Sequence, residues 1–329
     1  MQKKTSARTR FFILLFSFGV PLLGISQKPD TLIKKLDSLH LKTDSAGKQL
    51  NNTEPEAFNE DTKLTVPAYF ALTLSDLKQA FSKPFHIQKK DWIKIGGFVA
   101  LETALSFADE KIQENALALR NKSKPVRDIN SFVTNFGGAY EVYTLVALGT
   151  YGYAFKNTKL VTTTFLATQA YITGSAVEGV VKLLSGRQRP DFYEPGTLQI
   201  DPAFRGPFYQ GKDSYGNRLN SSFPSGHTTV AFAAATVFAM EYKNKPLVPI
   251  LAYSAATIIG LSRIVENRHW FSDVVAGAAL GFLTGRQVVN NYHRYAKLKS
   301  PELKKNTVVF NLDYRFGRVL PGLIYKFRS

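Results

Sequence analysis

From Trp92 onward the chain alternates apolar blocks with short polar or basic connections. The blocks cover about 92–108, 136–155, 160–184, 228–241, 246–262 and 270–289. Each is longer than an ordinary strand and reads as a helix. The pattern therefore predicts an all-α fold, a helical bundle. Ala, Gly, Leu, Val and Thr dominate these blocks, and such small residues let helices approach closely in lipid. No block is a strong span alone. Glu102, Glu141, Gln169 and Glu178 interrupt them, whereas a crossing helix needs roughly 17–25 apolar residues. Ahead of the blocks, "LSDLKQAF" predicts a short helix. Behind them, in "NTVVFNLDYRFGRVLPGLIYKFRS", the period shortens. Val309, Asn311, Asp313 and Arg315 alternate loosely with Phe310, Leu312, Tyr314 and Phe316. That predicts a small C-terminal β-hairpin, its strands joined around "GRVLPG".

The domain organisation follows. "MQKKTSARTR", then "FFILLFSFGVPLLG", then Gly24 and Ser26 before Gln27 form a charged, an apolar and a small-residue stretch. Residues 1–26 are thus expected to be a signal peptide. Residues 27–90 form a polar N-terminal extension, 91–295 a helical domain, and 296–329 the hairpin tail.

Composition narrows the chemistry. The 329 residues carry a formal net charge of +17 and no cysteine, which excludes disulfides, thiolate nucleophiles and Cys-ligated metals. Imidazole chemistry must come from five histidines: His40, His86, His227, His269 and His293. The basic excess sits mainly between apolar blocks, which favours a membrane over nucleic acid. "FKNTK", "EYKNK" and "HRYAKLKSPELKK" would share the cytoplasmic side, leaving the segments at 187–223 and 263–269 together on the opposite face. An exported residue 90 fits this alternation only if block 92–108 does not cross; its amphipathic continuation "FADEKIQENALALRNKSK" would suit an interface. A soluble exported bundle also satisfies the charges.

Three segments hold groups able to act together. "KLLSGRQRP" supplies Lys182, Arg187 and Arg189, although Gly186 and Pro190 suggest that its helix frays before Arg189. In "PSGH", Ser225 can cap a helix and Gly226 permits an otherwise strained backbone. The first-turn N–H groups there form an anion site, and His227 could donate a proton to its occupant. In "SRIVENRHWFSD", Arg263 precedes His269 by six residues, and His269 and Asp273 are four apart, on one face of any helix through both. A carboxylate so placed can take one imidazole N–H and leave the other nitrogen as base or nucleophile. Three cations, two histidines, a carboxylate and a helix N-terminus suit phosphoryl transfer without a metal. No Asp, Glu and His cluster offers a two-metal alternative. Which histidine attacks is left open by the spacing.

These segments resemble the type 2 phosphatidic acid phosphatase (PAP2) superfamily, with its signature K-x6-R-P, P-S-G-H and S-R-x5-H-x3-D. Lys182 to Pro190, Pro224 to His227 and Ser262 to Asp273 match every signature position, and the likeness covers roughly 92–290. The resemblance implies that His269 is the nucleophile and forms a phosphohistidine, that Asp273 orients it, and that His227 protonates the leaving oxygen and then activates water. Lys182, Arg189, Arg263, Ser225 and Gly226 would bind phosphate. Neither cofactor nor metal is implied. Arg187, flanking the motif, is expected to matter less than Arg189.

The substrate class divides by branch. Membrane members take lipid phosphates and diphosphates, which would place this chain in a bacterial inner membrane with the site facing the periplasm. Exported soluble members are non-specific acid phosphatases acting on small esters. Vanadate-dependent haloperoxidases share the anion site, and a non-enzymatic phosphate-binding membrane protein is a fourth class. "HWFSDVVAGAALGFLTG" looks more like the membrane branch. Phe192, Tyr193, Phe204, Phe208, Tyr209 and Tyr215 would suit a headgroup-level entrance or a packed loop. The sequence sets no oligomeric state.

Overall fold

A computed structural model of the chain describes residues 64–190, 202–207, 209, 221–299, 307–315 and 318–326. The expected signal peptide and residues 27–63 of the expected extension lie outside them, as do Phe192, Tyr193, Phe208 and Tyr215. Two units form: one takes up the chain at Thr65 and runs to Val289, the other includes 290–329.

The first unit is an all-α bundle among its described residues. Its helices are α1 (Val66–Ser82), α2 (Lys89–Ser106), α3 (Asp109–Lys122), α4 (Lys124–Val133), α5 (Ala139–Ala154), α6 (Thr158–Ser185), α7 (Gly226–Glu241), α8 (Leu247–Val265) and α9, which starts at Phe271. A 3-10 turn, Thr134–Gly137, joins α4 to α5. The apolar blocks therefore mark real helices, but the predicted short helix is longer. It begins at Val66, capped by Thr65 Oγ1 accepting from Ala68 N. It packs on α6, where Gln169 Nε2 donates to the Tyr69 carbonyl at 2.9 Å. The expected domain boundary near residue 90 thus falls within helical structure.

Helix α7 sits between α6 and α8 and is the centre of the bundle. Its buried face is Ala, Val and Thr. The threonine hydroxyls donate within their own helices, Thr229 to the Ser225 carbonyl at 2.9 Å and Thr236 to Phe232 at 2.7 Å. Satisfied in this way, threonine packs as a small residue. Against α7 lies a stripe on α9: Gly277, Gly281 and Gly285, one per turn. A Cβ at Gly281 would stand 2.3 Å from the Thr229 carbonyl oxygen, and one at Gly285 2.5 Å from that of Ala233. Only glycine allows this backbone approach.

The outward faces are apolar. Leu247, Ile250, Leu251 and Ile258 of α8 are each more than half exposed, as are Tyr143, Val146 and Tyr151 of α5. Among the described residues one helix, Leu247–Val265, is long and apolar enough to cross a membrane. The basic α5–α6 connection, 155–157, and the α7–α8 connection, 242–246, lie at the ends of α6 and α7 opposite the signature segments.

In the second unit α9 continues to Lys299, and strands β1 (Thr307–Arg315) and β2 (Arg318–Lys326) pair antiparallel. The two expected strands are present, and β2 already begins at Arg318. "GRVLPG" lies mostly within β2.

Candidate active site

Helix α6 ends as the frayed reading expects. Gly186 adopts φ 59°, a left-handed C-cap, and its N–H reaches the Lys182 carbonyl. A Cβ there would lie 2.2 Å from the Gly206 carbonyl oxygen, so the position needs glycine twice over. Lys182 stays on the last turn and pairs with Glu178, while Arg189 leaves the helix and reaches the Ser221 carbonyl at 3.5 Å.

The chain returns through Ser221–Ser225, the Phe223–Pro224 peptide being cis, into α7. Two expectations about this turn change. Ser225 is the N-cap residue, but its side chain caps no helix N–H; its Oγ accepts from Thr228 Oγ1 at 2.8 Å. Gly226 has no positive φ. It is needed because a Cβ would stand 2.5 Å from Glu178 Oε1 and 3.4 Å from Lys182 Nζ. The α7 N-terminus thus lies against the Glu178–Lys182 pair, with no side chain closing its first turn, as an anion site requires.

His227, on that first turn, packs on the loop before α5. Gly137 leaves room for the His227 Cβ, and a Cβ at Gly138 would be 3.2 Å from His227 Nε2. The same loop holds Arg263 at the end of α8, whose Nη1 donates to Thr134 Oγ1 at 2.5 Å. "TNFGG" is therefore part of the site. Its only signal in the sequence is a pair of glycines.

His269 is almost fully buried and precedes α9 rather than lying in it. Its Nδ1 is 2.8 Å from the Ser222 carbonyl and 3.6 Å from Asp273 Oδ2. A carbonyl can only accept, so Nδ1 carries the hydrogen and Nε2 keeps its lone pair. The expected direct His269–Asp273 hydrogen bond is replaced by one to the backbone. Asp273 acts on the surroundings: Oδ2 accepts from Ser222 Oγ at 2.5 Å and Trp270 N at 2.9 Å, and Oδ1 from Arg187 Nη1 at 2.7 Å. The Asp273 carbonyl also takes the Ser225 N–H at 2.9 Å, tying α9 to the α7 N-terminus.

Arg187 is the larger surprise. It is wholly buried between Asp109 and Asp273, with Nη2 2.6 Å from Asp109 Oδ2, and its guanidinium lies 4.7 Å from the Phe204 ring centroid. It is therefore a buried partner of Asp273 rather than a residue at the edge of the site. Asp109, at the start of α3, was missed; nothing in "FADEK" distinguishes it from a surface helix start. Phe204 also packs edge-on against Phe223, and Tyr209 Oη accepts from Gln188 Nε2 at 2.9 Å, so these two loop aromatics are packed.

Arg189, Lys182 and Arg263 all act on both imidazoles. Burial, then these cations, holds His269 well below the usual histidine value. Burial, then Arg263, Lys182 and Arg189, lowers His227 to about 3. All eight residues expected at the site are accordingly drawn to one end of the bundle. Among the described residues no group of three His, Asp or Glu is placed to hold a metal.

The site thus presents an open helix end, three cations and two imidazoles together. Residues 163–296 match the model of the PAP2 superfamily. A lipid A 1-phosphatase of Porphyromonas gingivalis is 50% identical over 82 residues, 23% of this chain and 18% of that protein. Lipid phosphate phosphatase 1 of Arabidopsis thaliana is 32% identical over 130 residues, 34% of this chain and 38% of that protein. Both matches span well under two thirds of the relatives' length. A transmembrane PAP2 type phosphatidylglycerolphosphate phosphatase of Bacillus subtilis superposes with a TM-score of 0.41 at 20% identity, over 71% of this chain and 98% of that one.

Proposed function

We propose that this chain is a metal-independent, membrane-embedded phosphatase that hydrolyses a lipid phosphomonoester or diphosphate through a phosphohistidine. The observation that carries the reading is the meeting of Lys182, Arg189 and Arg263 with two imidazoles at the open α7 N-terminus. The lipid class is supported by the apolar outward faces of α5 and α8 and by the named activities of the relatives. A bilayer leaves such faces solvated by lipid tails, whereas water would not. The arrangement of basic connections supports an inner-membrane setting with the site on the periplasmic side.

Each residue then has a defined task. Lys182, Arg189 and Arg263 clamp the phosphate oxygens, with the N–H groups of Gly226 and its neighbours behind Ser225. The Ser222 carbonyl holds the Nδ1 hydrogen of His269, so Nε2 attacks phosphorus. The P–N bond forms as the bond to the leaving oxygen breaks. His227 gives that oxygen its proton. The neutral His227 then takes a proton from water, whose oxygen attacks phosphorus. The P–N bond breaks and phosphate leaves.

The cations that hold His227 neutral in the empty site are also the phosphate ligands. A bound phosphate offsets their charge and favours the protonated imidazole that the first step needs. Phosphate release from a panel of lipid phosphates, lipid diphosphates and small esters tests the reading. Release that favours lipids and vanishes in His269→Ala is expected; full activity in that variant overturns the proposed nucleophile. Preference for small esters by a protein washed from membranes would assign it to the soluble acid phosphatases.

A further inference from the structure

Asp109 lies outside the residues that match the family, yet it reaches the centre of the site. Its carboxylate has no exposure and takes three hydrogen bonds. Oδ1 accepts from the Ser272 N–H at 2.9 Å, and Oδ2 from Ser272 Oγ at 2.6 Å and Arg187 Nη2 at 2.6 Å. The first contact caps α9 from another helix. The last balances, together with Asp273, the one guanidinium between them.

From Arg187 the connections lead on without a gap. Arg187 Nη1 meets Asp273 Oδ1, Asp273 Oδ2 meets Ser222 Oγ, and the Ser222 carbonyl meets His269 Nδ1. The Arg187 carbonyl also accepts the Ser222 N–H at 3.0 Å, so both ends of Ser222 are held from the same pair. The buried Glu102 carboxyl of α2 lies within electrostatic reach of Asp109, Arg187 and Asp273.

We propose that Asp109 is a positioning residue for the reaction, supplied by the N-terminal helices. It holds Arg187, and through Asp273 and Ser222 it fixes the tautomer and aim of His269. This rests on the phosphatase reading above. Without the Asp109 charge, Arg187 has one buried carboxylate partner, and Asp273 is drawn from its two tasks toward that cation. The phosphate ligands are not touched by Asp109, so binding and turnover separate.

The test uses the full chain in detergent. Asp109→Asn keeps the size of the side chain and removes its charge. The expected result is a fall in kcat of roughly tenfold to a hundredfold, with KM changed by less than about twofold. The 15N spectrum of labelled histidine should show His269 losing its single Nδ1–H tautomer. If Asp109→Asn does not fold, Ser272→Ala carries the reading. It removes only the hydroxyl that bridges Asp109 and Arg187, and it should lower kcat at fixed KM. A folded variant with unchanged kcat and an unchanged histidine spectrum overturns the proposal, and so does a rise in KM that accounts for the whole loss. A wild-type chain inactive on every phosphate, whose His269 signal still responds to Asp109→Asn, would reject the phosphatase reading and keep the positioning.

Discussion

At the scale of single residues, the two histidines differ in what surrounds them. His269 is fixed by a backbone carbonyl, whereas His227 rests on glycine backbone and faces three cations. His269→Ala should abolish turnover. His227→Ala should lower kcat by about 10²–10⁴, with slower release of poor leaving groups and less effect on activated esters such as p-nitrophenyl phosphate. Protonation should couple to binding. His227 is neutral in the empty site at pH 7, so vanadate or phosphate binding should take up a proton, visible as a buffer-dependent calorimetric heat. The same lowered values give a stability profile. Between pH 6.5 and about 3 the unfolded chain binds a proton that folded His227 refuses, and buried His269 is shifted in the same direction. Stability is therefore complete above pH 6.5 and lost as pH falls toward 3, as thermal midpoints across that range should show. Asp273→Asn should cost more than rate, because opening a buried ion pair costs about 3–5 kcal/mol.

At the scale of elements, glycines decide how closely helices meet. Gly281→Ala places a methyl against the α7 backbone, which cannot retreat like a side chain. A loss of about 1–3 kcal/mol is expected in unfolding experiments. Gly226→Ala differs, because its methyl meets the movable end of Glu178. It should leave the melting temperature nearly unchanged and raise KM by displacing the Glu178–Lys182 pair. The helices themselves were legible, because the six apolar blocks coincide with α2 and with α5 to α9. The length of α1 was not, because its buried face includes Thr73, Ser75 and Asp76, which read as polar. The strand ends were not legible either, since Gly322 reads as a turn signal yet pairs with Asn311 inside β2.

At the scale of the molecule, the outward apolar faces set the expectation. Alkaline carbonate should leave the protein in the membrane, and its extraction would instead favour the soluble class. Activity should persist in EDTA; loss in EDTA with recovery on adding zinc or magnesium would refute the metal-independent mechanism. The sequence by itself determined the helical class and the eight residues of the three signature segments, because helical period and motif spacing are local properties. Tertiary structure alone decided the rest. It brought Asp109 and Gly137–Gly138 to the site, moved Arg187 from a flank to a buried ion pair, and gave the His269 hydrogen to Ser222 instead of Asp273. Those partners are set by which helix ends meet in space. The physical reason is burial: a charge or imidazole removed from water takes whichever partner packing presents, and sequence distance has no bearing on that choice. The "PSGH" glycine shows the same division, since its presence was legible but its purpose, room for Glu178 and Lys182, belongs to the meeting of α6 and α7.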